Sequence, residues 1–140
     1  MRSAATPVGL TTTEKPAASA GCHEDRPWGS WTVLDEGAGW KVKRLVVEPG
    51  CRLSLQTHAR RTECWIVVTG VASVVVGRRR LVLRNGERVH VPRWAQHRIA
   101  NDQDSRLVIL EIQRGDYLGE DDIVRLEDDY GRVGQDHPVL

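Results

Sequence analysis

Alternating apolar and polar positions run through most of the chain in short stretches that glycine or asparagine separates. Residues 71–77, VASVVVG, are followed by RRRLVLRNG and ERVHVP, and Asn85-Gly86 lies between the last two. Asn-Gly between alternating runs is a strong signal for a tight β-hairpin. The pattern predicts about eight short strands spaced by roughly 8 to 12 residues and no long helix, which is typical of a sandwich or a small barrel. The fold class is therefore all-β.

The first 25 residues differ from the rest, because they contain few large apolar side chains and many Ala, Thr, Ser, Pro and Gly. Such a segment cannot bury enough surface to offset the entropy lost on ordering. We therefore predict a flexible leader at residues 1–25 and a single domain at residues 26–140. The 140-residue chain is long enough for that domain to bury a modest core.

The strand predicted near residues 40–47 has lysines and apolar residues on the same side. Lys41, Lys43, Leu45 and Val47 share one face, because successive side chains of a strand alternate. Two interpretations stay open for this face. The lysines either point into the interior or lie at a solvated start of the strand.

The last part of the chain, YLGEDDIVRLEDDYGR, is acidic and amphipathic. It is predicted to form a short helix or an extended strap across the barrel. The spacing of its acidic residues does not fit an EF-hand loop. We expect a solvated acidic surface, with Ile123, Val124 and Leu126 docked inward.

Composition excludes several classes of partner. The chain has 20 basic and 19 acidic residues, a balance that argues against a charge-driven nucleic-acid or membrane surface. Its three cysteines lack CxxC spacing, which favours reduced thiols in the cytoplasm. No apolar run reaches membrane-spanning length. We therefore expect a cytoplasmic protein with neither a nucleic acid nor a membrane as its partner.

Four residues of metal-ligand type fall at positions where strands can direct them to one point. Gln56 and His58 share a strand face, Glu63 begins the next apolar run, and His97 follows later. An amide oxygen, a carboxylate and two imidazoles suit Zn, Mn, Fe, Ni or Co. The alternative is a Gln and a His that only form hydrogen bonds inside a barrel. The combined set of four favours a metal pocket.

Two stretches resemble the two motifs of the cupin superfamily, whose small β-barrels carry a divalent metal on His-x-His, Glu and a later His. They are residues 50–70, GCRLSLQTHARRTECWIVVTG, and residues 86–101, GERVHVPRWAQHRIAN. Gln56 stands where most cupins have the first His, as also occurs in sugar-phosphate-isomerising cupins, and Trp94 stands where Gly is usual. The resemblance implies a single cupin (jelly-roll) barrel with one divalent metal ion. Its ligands would be Gln56, His58, Glu63 and His97.

A narrower resemblance extends over residues 26–132. The chain is similar to the type II mannose-6-phosphate isomerase domain, which is usually fused behind a GDP-mannose pyrophosphorylase domain. The matching stretches are RPWGSW, WKVKRL, LSLQTH, HRIAN and LEIQRGDYLGEDDIVRLEDDYGR. The chain departs from that family at Ala59 and Arg60, where His is usual, and at Cys64, which also replaces a His.

This resemblance implies an isomerase that interconverts mannose 6-phosphate and fructose 6-phosphate through an enediol, with the metal as Lewis acid. Glu111 is the candidate base and Lys43 a candidate acid or substrate-oxygen ligand. Arg61 or Arg98 would bind the phosphate. The substrate-binding candidates are Lys41, Arg61, Arg98 and Trp94. Two alternatives stay open. Glu111 is then only a hydrogen-bond partner of a ligand histidine, and Arg61 is an ordinary surface charge.

Two other functions stay open, because a fold does not determine its chemistry. One is a metal-dependent cupin enzyme of specialised metabolism, such as a dioxygenase, cyclase, dehydratase or epimerase. The other is a non-catalytic sugar-binding protein. Small cupins commonly pair through outer strands, and Leu55, Ile66 and Val68 alternate with the ligand positions. We therefore expect a homodimer that covers them.

Overall fold

The computed structural model describes residues 19–134, which form eleven β-strands and no helix. The strands are β1 (His23–Arg26), β2 (Gly29–Gly37), β3 (Trp40–Val47), β4 (Leu55–Thr57), β5 (Arg61–Thr69), β6 (Ala72–Val76), β7 (Arg79–Leu83), β8 (Arg88–Val91), β9 (His97–Ala100), β10 (Leu107–Gly115) and β11 (Val124–Glu127). The described residues therefore contain no helix long and apolar enough to cross a membrane.

The strands form two antiparallel sheets that face each other. One has the order β1-β2-β3-β10-β5-β8 and the other β11-β4-β9-β6-β7. Buried apolar side chains from both sheets make one cluster between them. The prediction of an all-β cupin barrel is confirmed. The hairpin predicted at Asn85-Gly86 is wrong: Gly86 has φ 81° in a turn between β7 and β8, but β7 pairs with β6 and β8 with β5, so the turn connects the two sheets.

The ordered sheet begins before the predicted domain boundary. His23–Arg26 pairs with Gly29–Thr32 in β2, and the amide of Gly21 donates to the carbonyl of Val33. The boundary predicted at residue 25 therefore passes through β1. The first 18 residues of the predicted leader lie outside the described residues.

Both lysines of β3 point into the barrel. Lys41 is 0% exposed and Lys43 is 2% exposed, so the interpretation of a solvated strand start is wrong. The register of β3 and β10 sets Lys43 opposite Glu111 and Lys41 opposite Gln113. One end of the interior is therefore polar.

Residues 116–123 connect β10 to β11 and cross the polar end of the barrel; we call this segment the strap. It is extended rather than helical, and β11 continues it by pairing with β4. The expectation of a solvated acidic surface is wrong for Asp122, which is 1% exposed. Leu126 is 41% exposed and so does not dock inward as expected. Pairing with β4 leaves the side chain of Leu126 on the outside of the sheet.

The outward apolar residues do not form one patch. Leu55 belongs to the smaller sheet, whereas Ile66 and Val68 lie on β5 of the larger sheet. Val68 is 49% exposed, and the other two are partly buried. A single flat interface therefore does not cover all three.

Candidate metal and substrate site

Three buried residues meet at the polar end of the barrel. His58 follows β4, Glu63 lies near the start of β5, and His97 begins β9. Their side chains offer ligand atoms that all lie within 4.8 Å of one another, and each side chain is at most 3% exposed. Three neighbouring strands of both sheets thus bring together residues that are far apart in the chain.

Backbone carbonyls orient both imidazoles in the same way. Nδ1 of His58 lies 2.6 Å from the carbonyl oxygen of Asp122, and Nδ1 of His97 lies 2.9 Å from that of Ala95. Each Nδ1–H donates to its carbonyl, so the lone pair resides on Nε2. Both Nε2 atoms face Glu63, at 3.1 Å from Oε1 for His58 and 3.9 Å from Oε2 for His97.

Electrostatics keep Glu63 and His97 in the protonation states that metal binding requires. Burial lowers the pKa of His97 to about 4, so its imidazole is neutral at pH 7. Burial alone would raise the pKa of Glu63, but the Arg61 guanidinium, paired with Glu63 at 3.0 Å, holds that pKa well below the ordinary value. A neutral imidazole and an ionised carboxylate are metal-ligand forms.

The residues present fit a divalent metal ion. Nε2 of His97 is buried and has no hydrogen-bond partner within residues 19–134, which is an unusual state for a ring nitrogen. Arg61 donates to Oε1 of Glu63 at 3.0 Å and lies 3.1 Å from Nε2 of His58. A metal ion bound to His58 would replace that last contact. Two nitrogens and a carboxylate match the mixed site predicted from the sequence.

Gln56 belongs to the same region. It lies directly opposite His97 in the β4–β9 ladder and lines the same cavity. Its amide nitrogen is 3.4 Å from the carbonyl of Ser54. Gln56 is only partly buried, in contrast to the other three candidates.

A cavity of about 90 Å³ adjoins the group. Its lining includes all four metal-ligand candidates together with residues from β2, β3, β10 and the strap. Examples are Trp31, Lys43, Glu111 and Glu120. The cavity therefore joins the candidate metal site to several charged side chains.

Glu111 is tied to the metal-ligand carboxylate through an indole. The Nε1–H of Trp65 lies 2.9 Å from Oε2 of Glu63 and 3.2 Å from Oε2 of Glu111. The amide of Gln113 donates to Oε1 of Glu111 at 2.6 Å. Burial, and then the charge of Glu63, raise the pKa of Glu111 to about 8. Glu111 is thus a buried carboxyl beside the site, in the position that the strand alternation predicted.

The two lysines of β3 hold the strap. Nζ of Lys43 forms an ion pair with Glu120 and lies 4.0 Å above the ring of Trp31. Nζ of Lys41 is 3.3 Å from the carbonyl oxygen of Leu118. Burial and the neighbouring Lys43 charge lower the pKa of Lys41. Of these two lysines, only Lys43 is among the described residues that line the cavity.

The other substrate-binding candidates occupy different surroundings. Arg61 is buried beside Glu63 and lines the cavity. The guanidinium of Arg98 donates to the carbonyls of Leu53 and Glu127, which ties β9 to two neighbouring segments. Trp94 is 55% exposed and is not among the described residues that line the cavity.

Two strap residues with clear contacts to the site were missed from the sequence. The carboxylate of Asp122 accepts hydrogen bonds from the amides of Ala59 and Arg60, both at 2.9 Å, and its carbonyl orients His58. Glu120 reaches Lys43. The sequence offered one signal for them, the acidic run GEDDI at residues 119–123. Its side chains were predicted to face solvent, because no local pattern shows that this segment crosses a buried site.

Two facing antiparallel sheets around a buried His, Glu and His group define this protein as a cupin. The family-level comparison agrees: residues 14–128 match the family model described as Mannose-6-phosphate isomerase C-terminal. The chain belongs to that family.

Curated relatives share nearly half of the aligned residues. The alginate biosynthesis protein AlgA of Pseudomonas aeruginosa is 46% identical over 114 residues, which cover 81% of this chain and 24% of AlgA. The xanthan biosynthesis protein XanB of Xanthomonas campestris is 48% identical over 108 residues, 77% of this chain and 23% of XanB. The chain thus spans about a quarter of the length of these relatives.

Solved structures support the fold. The capsular polysaccharide assembling protein CapF of Staphylococcus aureus superposes with a TM-score of 0.68 at 19% identity, over 76% of this chain and 34% of CapF. A Klebsiella pneumoniae protein with a double-stranded β-helix domain gives a TM-score of 0.60 at 17% identity, over 69% of this chain and 83% of that one. At these identities the likeness concerns the fold alone.

Proposed function

We propose that this chain is a metal-dependent isomerase that interconverts mannose 6-phosphate and fructose 6-phosphate. The observation that carries the proposal is the buried group of His58, Glu63 and His97, in which both Nε2 lone pairs face one carboxylate. Membership of a family described as Mannose-6-phosphate isomerase C-terminal supports the substrate class.

His58, Glu63, His97 and Gln56 would hold one divalent ion, with Zn, Mn, Fe, Co and Ni as candidates for the donor set. When bound, the ion would act as a Lewis acid toward a sugar oxygen. The carbonyls of Asp122 and Ala95 keep the two imidazoles oriented toward it. The protein's own contribution is therefore a preorganised set of donors at the inner end of the cavity.

Proton transfer between C1 and C2 of the open-chain sugar requires a group at the cavity wall. Glu111 is our proposed base in its ionised form, which predominates above its pKa of about 8, because it lines the cavity and lies beside Glu63 through Trp65. Lys43, opposite Glu111 in the β3–β10 ladder, is proposed to donate hydrogen bonds to substrate oxygens. Arg61 is proposed as the phosphate partner because its guanidinium also lines the cavity.

The structure gives less support to three other substrate-binding candidates. Arg98 lines the cavity but already donates to two carbonyls, and Lys41 donates to the strap. Trp94 lies outside the cavity lining within the described part of the chain. We propose that Lys41 and Arg98 position the strap and β9 rather than contact the substrate. Trp94 lies close to His97 in the chain, and it would contact only a part of the substrate that extends outside the cavity.

The test is proton NMR of mannose 6-phosphate in D₂O with metal-reconstituted protein. We expect deuterium at C2 and the appearance of fructose 6-phosphate, both lost in His58→Ala. His90→Ala, an exposed histidine on β8, is the matched control. An unchanged sugar with Zn, Mn, Fe, Co and Ni each bound would refute the isomerase function. Oxygen-dependent and other cupin reactions would then be tested next.

The predicted homodimer stays a prediction. Ile66 lies next to Leu110 in the β5–β10 ladder, and both are partly buried on the outer face of the larger sheet. A pairing of two copies through this face would cover them. Light scattering after size-exclusion chromatography measures the mass directly, and Ile66→Glu is expected to convert a dimer to a monomer. A monomeric wild-type protein at high concentration would contradict the prediction.

A further inference from the structure

The strap inserts a carboxylate between cations inside the cavity. Glu120 forms an ion pair with Lys43 and lines the same cavity as Arg61. Burial would raise the pKa of Glu120, but the charges of Lys43 and Arg61 hold it below the ordinary value. Glu120 is therefore an anion at neutral pH, and it neutralises a cationic part of the wall.

Arg61 has a hydrogen-bond donor that its protein contacts leave unused. Its Nε donates to Glu63 and its Nη2 lies against His58, whereas Nη1 is buried without a partner within residues 19–134. A buried donor without a partner is energetically unfavourable. An oxyanion in the cavity would satisfy it, and a guanidinium binds phosphate oxygens in a fork geometry.

The cavity is too small to enclose a whole hexose phosphate unless a wall residue moves. Its volume is about 90 Å³, whereas pockets for drug-sized ligands measure about 300–1,000 Å³. Asp122 is fixed by two backbone amides of residues 59 and 60. The Glu120 side chain is 34% exposed and its carboxylate has an ion-pair partner rather than a backbone anchor, so it can leave without releasing Asp122.

We propose that Lys43 and Arg61 form a binding site for a phosphoryl group, and that Glu120 occupies this site as an internal anion which the ligand displaces. The identity of the ligand as a sugar phosphate rests on the proposed function. The affinity of the site for phosphate does not, because it can be measured without turnover.

Displacement of the Glu120 carboxylate favours ligands that carry a negative charge. A phosphate monoester carries up to two negative charges and three acceptor oxygens, compared with one charge on the Glu120 carboxylate. Because Lys43 and Arg61 both line the cavity, it can interact with both cations. A neutral sugar offers no charge to replace Glu120, so the ion pair with Lys43 stays intact. Phosphorylated sugars should therefore bind better than free sugars.

Calorimetric titration with inorganic phosphate tests the site in the full-length protein. We expect Glu120→Gln, which removes the competing charge at constant shape, to bind phosphate at least about tenfold more tightly than the wild type. The double variant Glu120→Gln with Lys43→Met should lose this gain. Glu127→Gln, an exposed carboxylate beyond the strap, makes the same charge change and should bind as the wild type does.

A second measurement uses only the wild-type protein. Hydrogen exchange of the strap amides should become faster when phosphate or mannose 6-phosphate is added, whereas mannose should leave it unchanged. The amides of β10 should not respond. This measurement applies even if Glu120→Gln fails to fold.

Equal phosphate affinity in Glu120→Gln and the wild type, or a strap that does not respond to phosphate, would overturn the proposal. Loss of isomerase turnover in Glu120→Gln with unchanged phosphate affinity would also overturn it and would assign Glu120 to proton transfer. If phosphate binds as expected but no sugar is isomerised, the phosphoryl site stands and the proposed function fails.

Discussion

The barrel interior has an apolar half and a polar half, and the same three long strands build both. In each strand, inward-facing residues alternate with outward-facing ones, and their chemistry changes midway. The apolar inward residues are Leu45 and Val47 on β3, Leu107 and Ile109 on β10, and Trp65 and Val67 on β5. The polar ones are Lys41 and Lys43 on β3, Glu111 and Gln113 on β10, and Arg61 and Glu63 on β5.

The comparison separates the source of stability from the source of chemistry. Both halves are removed from water, since all of these residues are less than 8% exposed. Apolar burial is favourable by about 25 cal/mol per Å². Buried charges are instead costly unless they are paired, and a pair often gives no net gain over apolar residues. We infer that the apolar half stabilises a polar half that is retained for binding.

The largest expected effect is a loss of stability in the apolar half. Ile109→Ala should lower the free energy of unfolding by about 2–5 kcal/mol, because Ile109 is 0% exposed and its removal leaves a cavity. Urea unfolding measures this change. Ile112→Ala on the same strand is the control, since Ile112 faces outward and is only partly buried. Equal losses in the two variants would refute the division of roles along β10.

The next effect should appear in metal binding, with little loss of stability. His97→Leu removes a ligand nitrogen and should weaken binding of Zn by at least about 100-fold, which corresponds to about 2.7 kcal/mol. The metal-free variant should unfold at a urea concentration close to that of the wild type, because it loses the Nδ1 hydrogen bond to Ala95 but buries an apolar side chain where Nε2 has no hydrogen-bond partner within the described residues.

Competition with a fluorescent chelator measures the zinc affinity, and urea unfolding in a metal chelator measures the stability. His90→Leu, at an exposed position, serves as the control for both. A His97→Leu variant that keeps wild-type zinc affinity would exclude His97 from the ligand set. A large loss of metal-free stability would show that the imidazole supports the fold by itself.

The alternation along each strand was readable from the sequence, and the polar end was not fully recognised. The run WKVKRLVV places two lysines and two apolar residues on one face, but the sequence alone left the lysines' surroundings open. Their burial depends on Glu111 and on the strap, which are distant in the chain. The pairing of Gln56 with His97 across β4 and β9 is a long-range contact of the same kind.

The strap shows why some site residues escaped prediction. Glu120 and Asp122 lie in a loop without strand periodicity, so no face could be assigned to them. Their roles arise from Lys43 and from the amides of residues 59 and 60, which the loop meets only in the folded barrel. In contrast, His58, Glu63 and His97 lie in or directly beside strands, where spacing carries information.

A smaller effect should appear as a pH-dependent contribution of the polar half to the free energy of unfolding. Glu120→Gln should lower the free energy of unfolding at pH 7 by about 1–2 kcal/mol, because it leaves the buried Lys43 unpaired while Glu120 itself is partly solvated. The pKa of Glu120 is lowered in the folded state. Its contribution is therefore present above the unfolded pKa, near 4.5, and is lost as the pH falls through the folded pKa.

Urea unfolding at pH 7 and near pH 3.5 measures this difference. The gap between the wild type and Glu120→Gln should shrink on acidification, whereas the gap for Ile109→Ala should persist. A gap for Glu120→Gln that grows in acid would contradict the sign of the Glu120 shift. The pair of variants thus distinguishes charge-based stability in the polar half from packing in the apolar half.

The smallest expected effect lies at the edge of the polar half, at Trp94. This residue has φ 66° and follows Pro92-Arg93 in a tight turn closed by a hydrogen bond from the amide of Ala95 to the carbonyl of Pro92. A left-handed conformation is costly for any residue with a Cβ, and the exposed ring recovers little burial energy. Trp94→Gly should therefore raise the free energy of unfolding by about 0.5–1 kcal/mol.

Thermal unfolding would show this gain as a higher midpoint. The variant keeps the amide that donates to the carbonyl of His58 at 2.9 Å, so zinc affinity should not change. If Trp94 contacts a bound substrate from outside the cavity, the same variant should raise KM while kcat stays nearly constant. A more stable variant with a higher KM would show that the strained tryptophan is retained for binding. A less stable variant would contradict the assignment of backbone strain to Trp94.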